Sequence, residues 1–234
     1  MTNTGHRQRW LPVLAASRLA EPGTRPARLM LLGEELAAFR DGEGNLGIID
    51  GLCPHNGSLL AWGVAEDDGL TCAYHGWAFN VKGECLWAPG SPNTPSHLAQ
   101  YNVKAYPLVE ADGLLWTYVG QGEPPEQPQP AWCGLPPDHL AATQWQEALP
   151  TPDGAALAQQ SVGWPVARAE GDSVVLTGPN GLQLYLTAVP GFQQTAQCLA
   201  LLWHPGRSLT EAERYAMTGR ASGPAAGLQA LTAA

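Results

Sequence analysis

Two short stretches of the sequence, Cys53-Pro-His-Asn-Gly57 and Cys72-Ala-Tyr-His-Gly-Trp77, decide what this chain folds around. Each contains one cysteine, one histidine and one glycine, and sixteen residues separate His55 from Cys72. Thiolate and imidazole are ligands that transition metals prefer in proteins. The two stretches therefore predict a metal centre held between two loops.

The mixed composition of each stretch suits a two-iron cluster. One iron of a Rieske [2Fe-2S] centre takes two thiolates and the other takes two imidazoles, so each loop has to supply one of each. A structural zinc site is the alternative, because two Cys and two His are a common zinc set. Zinc knuckles usually pair Cys with Cys and His with His, in modules that lack a large core. We therefore favour a cluster bound by Cys53, His55, Cys72 and His75.

Neighbouring residues are predicted to shape the loops without binding metal. Pro54, Gly57 and Gly76 stand where tight turns have to fold over the cluster and aim backbone N–H groups at its sulfurs. Tyr74 and Trp77 belong to the second stretch and are predicted to lie around the cluster.

The sequence on either side predicts a mainly β fold. Short strands broken by Gly-rich turns run from residue 28 to 119, and one hairpin turns through Asp41-Gly-Glu-Gly-Asn45. Gly120 to Pro137 carries six prolines and almost no periodic apolar signal. We predict an iron–sulfur β domain over residues 1–120, a Pro-rich linker over 121–137 and a smaller α+β domain over 138–234.

The smaller domain has its own turn and cap signals. A hairpin is predicted around Gly178-Pro-Asn-Gly181, because Asn-Gly suits the positive backbone angles of a tight turn. A third strand is predicted over residues 196–203. Ser208-Leu-Thr-Glu211 matches a capping box that opens a short helix through Met217. The Ala- and Gly-rich residues from Ala221 onward are predicted to be loose.

Composition excludes several classes of partner. Twelve Lys and Arg against 21 Asp and Glu give a net charge of −9, which repels nucleic-acid phosphates and anionic membranes. The N-terminal residues contain no apolar run long enough for a signal peptide or a membrane span. Five unevenly spaced cysteines argue against a disulfide framework. We expect a cytoplasmic protein that binds neither nucleic acid nor membrane.

Beyond the four ligands, residues 10 to 120 resemble the Rieske domain of bacterial ring-hydroxylating oxygenases and their demethylase relatives. The further matching segments are Trp10-Leu-Pro-Val13, Gly33-Glu-Glu-Leu36, Gly83-Glu-Cys85 with Pro89, Tyr106-Pro-Leu-Val-Glu110 and Gly113-Leu-Leu-Trp116. The respiratory branch of Rieske proteins has extra cysteines that join the two loops, whereas Asn56, Gly57 and Ser58 supply none. Without that disulfide and the hydroxyl donors of the respiratory type, the resemblance implies a reduction potential low in the Rieske range.

The resemblance fails at the second metal of those oxygenases. Their C-terminal domain holds a mononuclear iron with two His and one carboxylate, and its local signature is an Asp, a His three positions on and another His five later. In the nearest frame here, Asp153 is followed by Ala156 and Ser161. We therefore expect a shortened domain, similar to a truncated helix-grip catalytic domain, without a mononuclear iron. The histidines outside the two loops are His6, His97, His139 and His204, and Asp138-His139 and Trp203-His204 remain possible ligands.

These features predict a component of an oxygenase system. The leading hypothesis is a carrier that takes single electrons from a flavin- or ferredoxin-type reductase. It passes them to the iron of a partner subunit, and the resemblance implies assembly with an oxygenase paralogue or into a homotrimer. The alternatives are a complete oxygenase or demethylase with atypical iron ligands, and a non-catalytic redox-sensing or regulatory subunit.

Other conspicuous residues are assigned ordinary roles. Cys85, Cys133 and Cys198 are predicted to be buried or bystander thiols rather than ligands. The tryptophans are predicted mostly to fill cores. Glu66-Asp67-Asp68 is predicted to be a solvated turn, with a docking patch for a basic reductase as the alternative.

Overall fold

A computed structural model describes residues 9–120, 122–127, 129–130, 132–148, 164–170, 173–190, 195–218 and 225–232. Most regular structure in these ranges is antiparallel β, so the predicted mainly β fold is confirmed. The chain separates into two compact units. The first takes in residues up to 11, 18–109 and 116–126, and the second takes in 12–17, 110–115 and the chain from 127 onward. The boundaries predicted at 120 and 138 remain predictions.

The elements before residue 120 are short. They are β1 (Trp10–Ala15), β2 (Ala27–Leu31), β3 (Glu34–Arg40), β4 (Leu46–Asp50), β5 (Val64–Glu66), β6 (Gly69–Thr71), β7 (Ala78–Phe79), β8 (Cys85–Trp87), α1 (Pro95–Leu98), β9 (Ala105–Tyr106), β10 (Leu108–Ala111) and β11 (Leu114–Tyr118). Turns of 3-10 helix lie at Ala16–Leu19, Leu60–Trp62 and Ala99–Tyr101.

The later elements are longer. They are β12 (Leu140–Ala148), β13 (Val166–Glu170), β14 (Ser173–Thr177), β15 (Gln183–Pro190), β16 (Thr195–Trp203), α2 (Glu211–Ala216) and α3 (Ala225–Thr232), with 3-10 turns at Pro137–His139 and Pro179–Gly181. No helix in the described ranges is long and apolar enough to cross a membrane.

Two four-stranded antiparallel sheets form most of the first unit. One has the strand order β2-β3-β4-β9 and the other has the order β5-β6-β7-β8. The predicted hairpin between β3 and β4 is confirmed. Asp41 is almost fully buried in its turn, where one carboxylate oxygen accepts a 2.7 Å hydrogen bond from the N–H of Asn45. That bond fixes the turn and the register of the two strands. A separate three-stranded sheet has the order β1-β11-β10.

The sheet β5-β6-β7-β8 has one buried and one solvated face. Leu70, Phe79 and Cys85 are buried and pair across the strands. The next row along the strands runs from Val64 on β5 to Trp87 on β8, and these two side chains are 57% and 51% exposed. Alternation of this kind is the two-residue period of a half-buried sheet. The sheet's buried face anchors the strands on both sides of the second Cys-His stretch.

In the second unit, five antiparallel strands form one sheet in the order β12-β16-β15-β14-β13. The hairpin between β14 and β15 turns at Asn180 and Gly181, whose φ angles of 54° and 80° confirm the prediction for the Asn-Gly pair. Leu184 and Leu202 on the sheet share a buried apolar cluster with Met217 and Leu228.

Two predictions at the C-terminal end were wrong. The helix cap is Thr210 rather than Ser208: its hydroxyl accepts from the N–H of Glu213, whose carboxylate accepts from the N–H of Thr210. Ser208 also has a Glu three residues later, Glu211, but the reciprocal bonds of the box are made by Thr210 and Glu213. The residues from Ala221 were expected to be loose, but Ala225–Thr232 forms α3. Leu228 is fully buried there, so apolar packing outweighs the weak local signal.

The tryptophans and acidic residues mostly follow expectation. The core role is confirmed for the buried tryptophans Trp116, Trp132, Trp164 and Trp203, whereas Trp62 and Trp87 are more than half exposed. Residues 66–68 are all exposed, which confirms the solvated turn.

Candidate metal centre

The two Cys-His stretches fold into loops with the same backbone geometry. In the first loop the N–H of Gly57 donates to the carbonyl of Cys53 at 2.8 Å, and in the second the N–H of Gly76 donates to the carbonyl of Cys72 at 3.0 Å. Both glycines have positive φ angles, 69° and 71°, a conformation that side chains disfavour. The prediction that these glycines turn tight loops is confirmed.

The loops also close in the same way. The N–H of Cys53 donates to the carbonyl of Ser58, and the N–H of Cys72 donates to the carbonyl of Trp77. One residue further out, Leu52 pairs with Leu59 in an isolated antiparallel bridge, just as Thr71 pairs with Ala78 in the sheet. Each loop is therefore a hairpin tip of matching length. The histidine follows the cysteine by two residues in the first loop and by three in the second.

Backbone N–H groups converge on both cysteine sulfurs. The thiol of Cys53 is contacted by the N–H groups of His55 and Asn56 and also meets the Cys72 thiol. Burial outweighs those donors and raises the pKa of Cys53 to about 11. In the second loop the N–H groups of Tyr74 and His75 contact the sulfur of Cys72. Two donors per sulfur are the arrangement that stabilises thiolate ligands.

Ser58 adds a side-chain contact from one loop to the other. Its hydroxyl lies 3.2 Å from the sulfur of Cys72. Burial acts to raise the pKa of Cys72, but the Ser58 hydroxyl and the backbone donors outweigh it and lower the pKa. This contact was not predicted from the sequence, whose resemblance implied no hydroxyl donor here. Ser58 is present in the sequence, but only folding of the two loops brings its hydroxyl to Cys72, which follows Cys53 by nineteen residues.

The four predicted ligands are brought together with opposite exposure. Cys53 and Cys72 are 3% and 2% exposed, whereas His55 and His75 are exposed and their ring centroids lie 4.6 Å apart. The thiol pair therefore faces the protein interior and the imidazole pair faces solvent. This is a donor set with two soft ligands on one side and two nitrogen ligands on the other, which fits a Rieske cluster.

Aromatic rings support the histidine side. The indole of Trp77 stacks on His55 with a centroid distance of 4.9 Å and an interplanar angle of 5°. Tyr101 meets Trp77 edge-on at 4.7 Å, and its hydroxyl hydrogen-bonds to a ring nitrogen of His97. The indole N–H of Trp77 is buried and has no partner in the described part of the chain. Trp77 was predicted from the sequence to lie around the cluster, whereas Tyr101 and His97 were not.

The remaining predicted neighbours lie at the loop surface. Tyr74 is 66% exposed, and its ring lies 3.9 Å from that of His75. Pro54 is exposed at the start of the first loop. Gly76 faces Pro89, which would lie 3.8 Å from an added Cβ.

In the described ranges, no three His, Cys, Asp or Glu side chains are grouped as they would be around a single ion. A Rieske cluster asks for only two protein ligands on each iron. The other thiols fit their expected roles, since Cys85 and Cys198 are buried and Cys133 is exposed.

His139 and His204, in the second unit, form hydrogen bonds between their ring nitrogens and backbone groups. His204 accepts at Nδ1 from the N–H of Gly206 and bonds at Nε2 to the carbonyl of Asn180, each at 3.0 Å. Nδ1 of His139 lies 3.1 Å from the carbonyl of His204. Both nitrogens of His204 are thus engaged in fixing the ends of the sheet. His6, Asp153, Ala156 and Ser161 lie outside the described residues.

Comparison with known families identifies the class. Residues 9–107, which include both loops, match the family model described as the Rieske [2Fe-2S] domain. This part of the chain is therefore a Rieske [2Fe-2S] domain, which implies that it binds a two-iron cluster.

Within that class, the chain is similar to several oxygenase subunits. It is 38% identical over 135 residues to the 3-chlorobenzoate-3,4-dioxygenase oxygenase subunit of Comamonas testosteroni, an alignment that covers 57% of this chain and 31% of that protein. It is 40% identical over 126 residues to the 5,5'-dehydrodivanillate O-demethylase oxygenase subunit of Sphingobium sp. (strain NBRC 103272 / SYK-6), covering 52% and 29%. The alignments span less than a third of these curated relatives.

Solved structures extend the likeness beyond the Rieske domain. A complex of oxygenase and ferredoxin from carbazole 1,9a-dioxygenase superposes with a TM-score of 0.61 at 17% identity, over 90% of this chain and 75% of that one. At this identity the match shows the fold alone. The fold of the chain is that of a Rieske oxygenase subunit.

Proposed function

We propose that Cys53, His55, Cys72 and His75 bind one [2Fe-2S] cluster and that the chain carries single electrons with it. The thiols would hold one iron and the imidazoles the other. The observation that carries the proposal is a pair of equivalent loops that present buried thiols beside exposed imidazoles. When bound, such a cluster accepts and releases one electron at a time.

The cysteines and the histidines have different roles: the buried cysteines shield the sulfurs from water, and the exposed histidines exchange the electron with a partner. The burial of both cysteines keeps water from the sulfurs, and two backbone donors on each sulfur stabilise the thiolate form. His55 and His75 give the electron its route to a partner because their rings are exposed. Their outward nitrogens are free to bond a partner's carboxylate or to hold a proton.

The partners we propose follow from the oxygenase subunits that the chain resembles. A flavin- or ferredoxin-type reductase would supply the electron, and a structure of the similar carbazole 1,9a-dioxygenase oxygenase holds a ferredoxin. The acceptor would be the iron of an oxygenase paralogue that assembles with this chain. We expect this exchange to take place in the cytoplasm.

We propose that the chain itself holds no mononuclear iron. The support is that His204, one of the few histidines outside the loops, uses both ring nitrogens for backbone hydrogen bonds. An engaged imidazole has no lone pair left for a metal.

A complete oxygenase with atypical iron ligands is the second candidate, because the relatives are named as oxygenase subunits. Analysis of iron and acid-labile sulfide in the purified full chain separates the two. Two irons and two sulfides per chain, with one electron per chain delivered from the dithionite-reduced protein to cytochrome c, are expected for the carrier. A third iron with substrate-dependent oxygen uptake would support the oxygenase and overturn the carrier proposal.

A further inference from the structure

The Ser58 hydroxyl is the feature of the metal centre whose chemistry is still unassigned. It lies 3.2 Å from the sulfur of Cys72, on the opposite loop. Apart from the contact between the two thiols, the other described donors to the sulfurs are backbone N–H groups, which do not depend on a side chain. Ser58 is different because a single substitution removes its donor without altering the backbone.

The backbone of the first loop fixes the position from which this hydroxyl reaches the sulfur. The carbonyl of Ser58 accepts from the N–H of Cys53 at 2.9 Å, and the adjacent Leu59 pairs with Leu52. Gly57, with its φ angle of 69°, makes the sharp turn that precedes the serine. A donor fixed in this way loses little conformational freedom when its acceptor becomes charged.

The direction of the hydrogen bond follows from the state of the acceptor. In a metal-bound centre Cys72 is a thiolate, which has no proton to give, so Ser58 must donate. Reduction adds one electron from the reductase and makes the centre more negative, while no bond at Ser58 is made or broken. A hydrogen bond to a ligand sulfur is stronger in the more negative state and therefore favours reduction.

We propose that Ser58 is a positioning residue that donates a hydrogen bond to the Cys72 thiolate across the two loops and raises the reduction potential of the centre. This inference rests on the proposed function, since it requires a cluster at the four ligands. It also revises the low potential expected from the sequence, because that expectation assumed that no hydroxyl reaches the sulfurs.

The test compares the full-length wild type with Ser58→Ala, Ser58→Thr and Ser58→Val by redox titration monitored by electron paramagnetic resonance. Threonine keeps the hydroxyl and valine replaces it with a methyl group of similar size. At a fixed solution potential near the wild-type midpoint, Ala and Val should lower the ratio of reduced to oxidised centre about two- to tenfold, the worth of one hydrogen bond. Thr should stay near the wild type.

Thr71→Val is the matched control. Its hydroxyl is one residue from Cys72 but donates to the carboxylate of Glu66. Its removal should leave the midpoint potential unchanged. A shift with Thr71→Val as large as with Ser58→Ala would overturn the inference, because any nearby loss of polarity would then suffice.

The outcomes distinguish this inference from the proposed function. Wild-type protein without a Rieske signal would defeat the proposed function itself. A normal signal with equal midpoint potentials in the Thr and Val variants would defeat only the role of Ser58. If Ala weakens cluster retention, the Thr and Val pair still decides, because these variants differ in the hydroxyl alone.

Discussion

The histidines of the two units are used in opposite ways. In the first unit, His55 and His75 stand at hairpin tips with their rings exposed and adjacent, and buried cysteines lie beneath them. In the second unit, the ring nitrogens of His204 are tied to the backbone at Asn180 and Gly206. This difference shows that a histidine is not a metal ligand by virtue of its residue type alone. A histidine can serve a metal only where the local hydrogen bonds leave its nitrogens available.

Replacing His75 with Cys gives the largest expected effect on this comparison. The first unit would then offer three thiolates and one imidazole, and the Rieske character should be lost. We expect the midpoint potential to fall by on the order of 100 mV, because one of two imidazoles is replaced and the gap between low-potential Rieske centres and all-cysteine plant-type clusters is about 250 mV. Redox titration of the reduced signal measures the change, and His204→Cys is the matched control. An unchanged spectrum in His75→Cys would remove His75 from the ligand set.

Glu213→Gln tests whether the second unit is held by ordinary structural bonds. The carboxylate accepts two hydrogen bonds from Arg207, at 2.7 and 2.9 Å, and closes the cap at Thr210. We expect a loss of about 2 kcal/mol in the free energy of unfolding. Thermal unfolding at pH 7 checks the loss, while the cluster spectrum should not change.

The same carboxylate predicts a pH dependence. The hydrogen bonds from Arg207 are the largest of the causes that lower the pKa of Glu213 from an ordinary 4.5 to about 2. Because the pKa in the folded state is depressed, the stabilisation is fully present above about pH 4.5 and is lost as pH falls toward 2. The stability difference between wild type and Glu213→Gln should therefore shrink across that window. A difference that stays constant down to pH 2 would contradict the assignment.

Gly57→Ala and Gly76→Ala test the equivalence of the two loops. Both positions have φ near 70°, so a side chain should cost about 1 kcal/mol at each. We expect similar losses of stability in both variants and a faster release of iron from both. Competition with a chelator measures the rate of iron release. Gly33→Ala is the control, since its φ of 83° carries the same strain in the turn between β2 and β3. Iron release from that control should match the wild type.

His204→Ala gives the smallest effect. Two partly exposed hydrogen bonds are lost, so we expect the free energy of unfolding to fall by about 1 kcal/mol. Chemical denaturation followed by circular dichroism measures this loss. Iron content and the reduced spectrum should be those of the wild type; a loss of iron on this substitution would show that His204 is a ligand after all.

The sequence predicts those parts of the site that depend on residue chemistry. Two mixed Cys-His loops with glycine at matching positions indicate the metal centre directly, because thiol, imidazole and a positive φ each require particular residues. The hairpin at Asn180-Gly181 is predictable for the same reason. Contacts between separate loops are not. Ser58 contacts Cys72 and Tyr101 contacts Trp77 only in the folded chain, and no local sequence pattern predicts either contact.

Errors at the C-terminal end have a similar cause. Ser208 and Thr210 are both acceptable helix caps by residue type, and the reciprocal bond with Glu213 selects the second. α3 contains few strong signals, yet Leu228 is fully buried in the core of the second unit. Tertiary packing decides such marginal helices.

The central claim is that two histidines from equivalent loops bind the reducible iron of a [2Fe-2S] cluster. Pulsed electron paramagnetic resonance of the dithionite-reduced full chain tests it most directly. The account predicts two coupled nitrogen nuclei, with one coupling lost in His55→Cys and the other lost in His75→Cys. A reduced signal without nitrogen coupling, or a protein that contains zinc and no acid-labile sulfide, would contradict it.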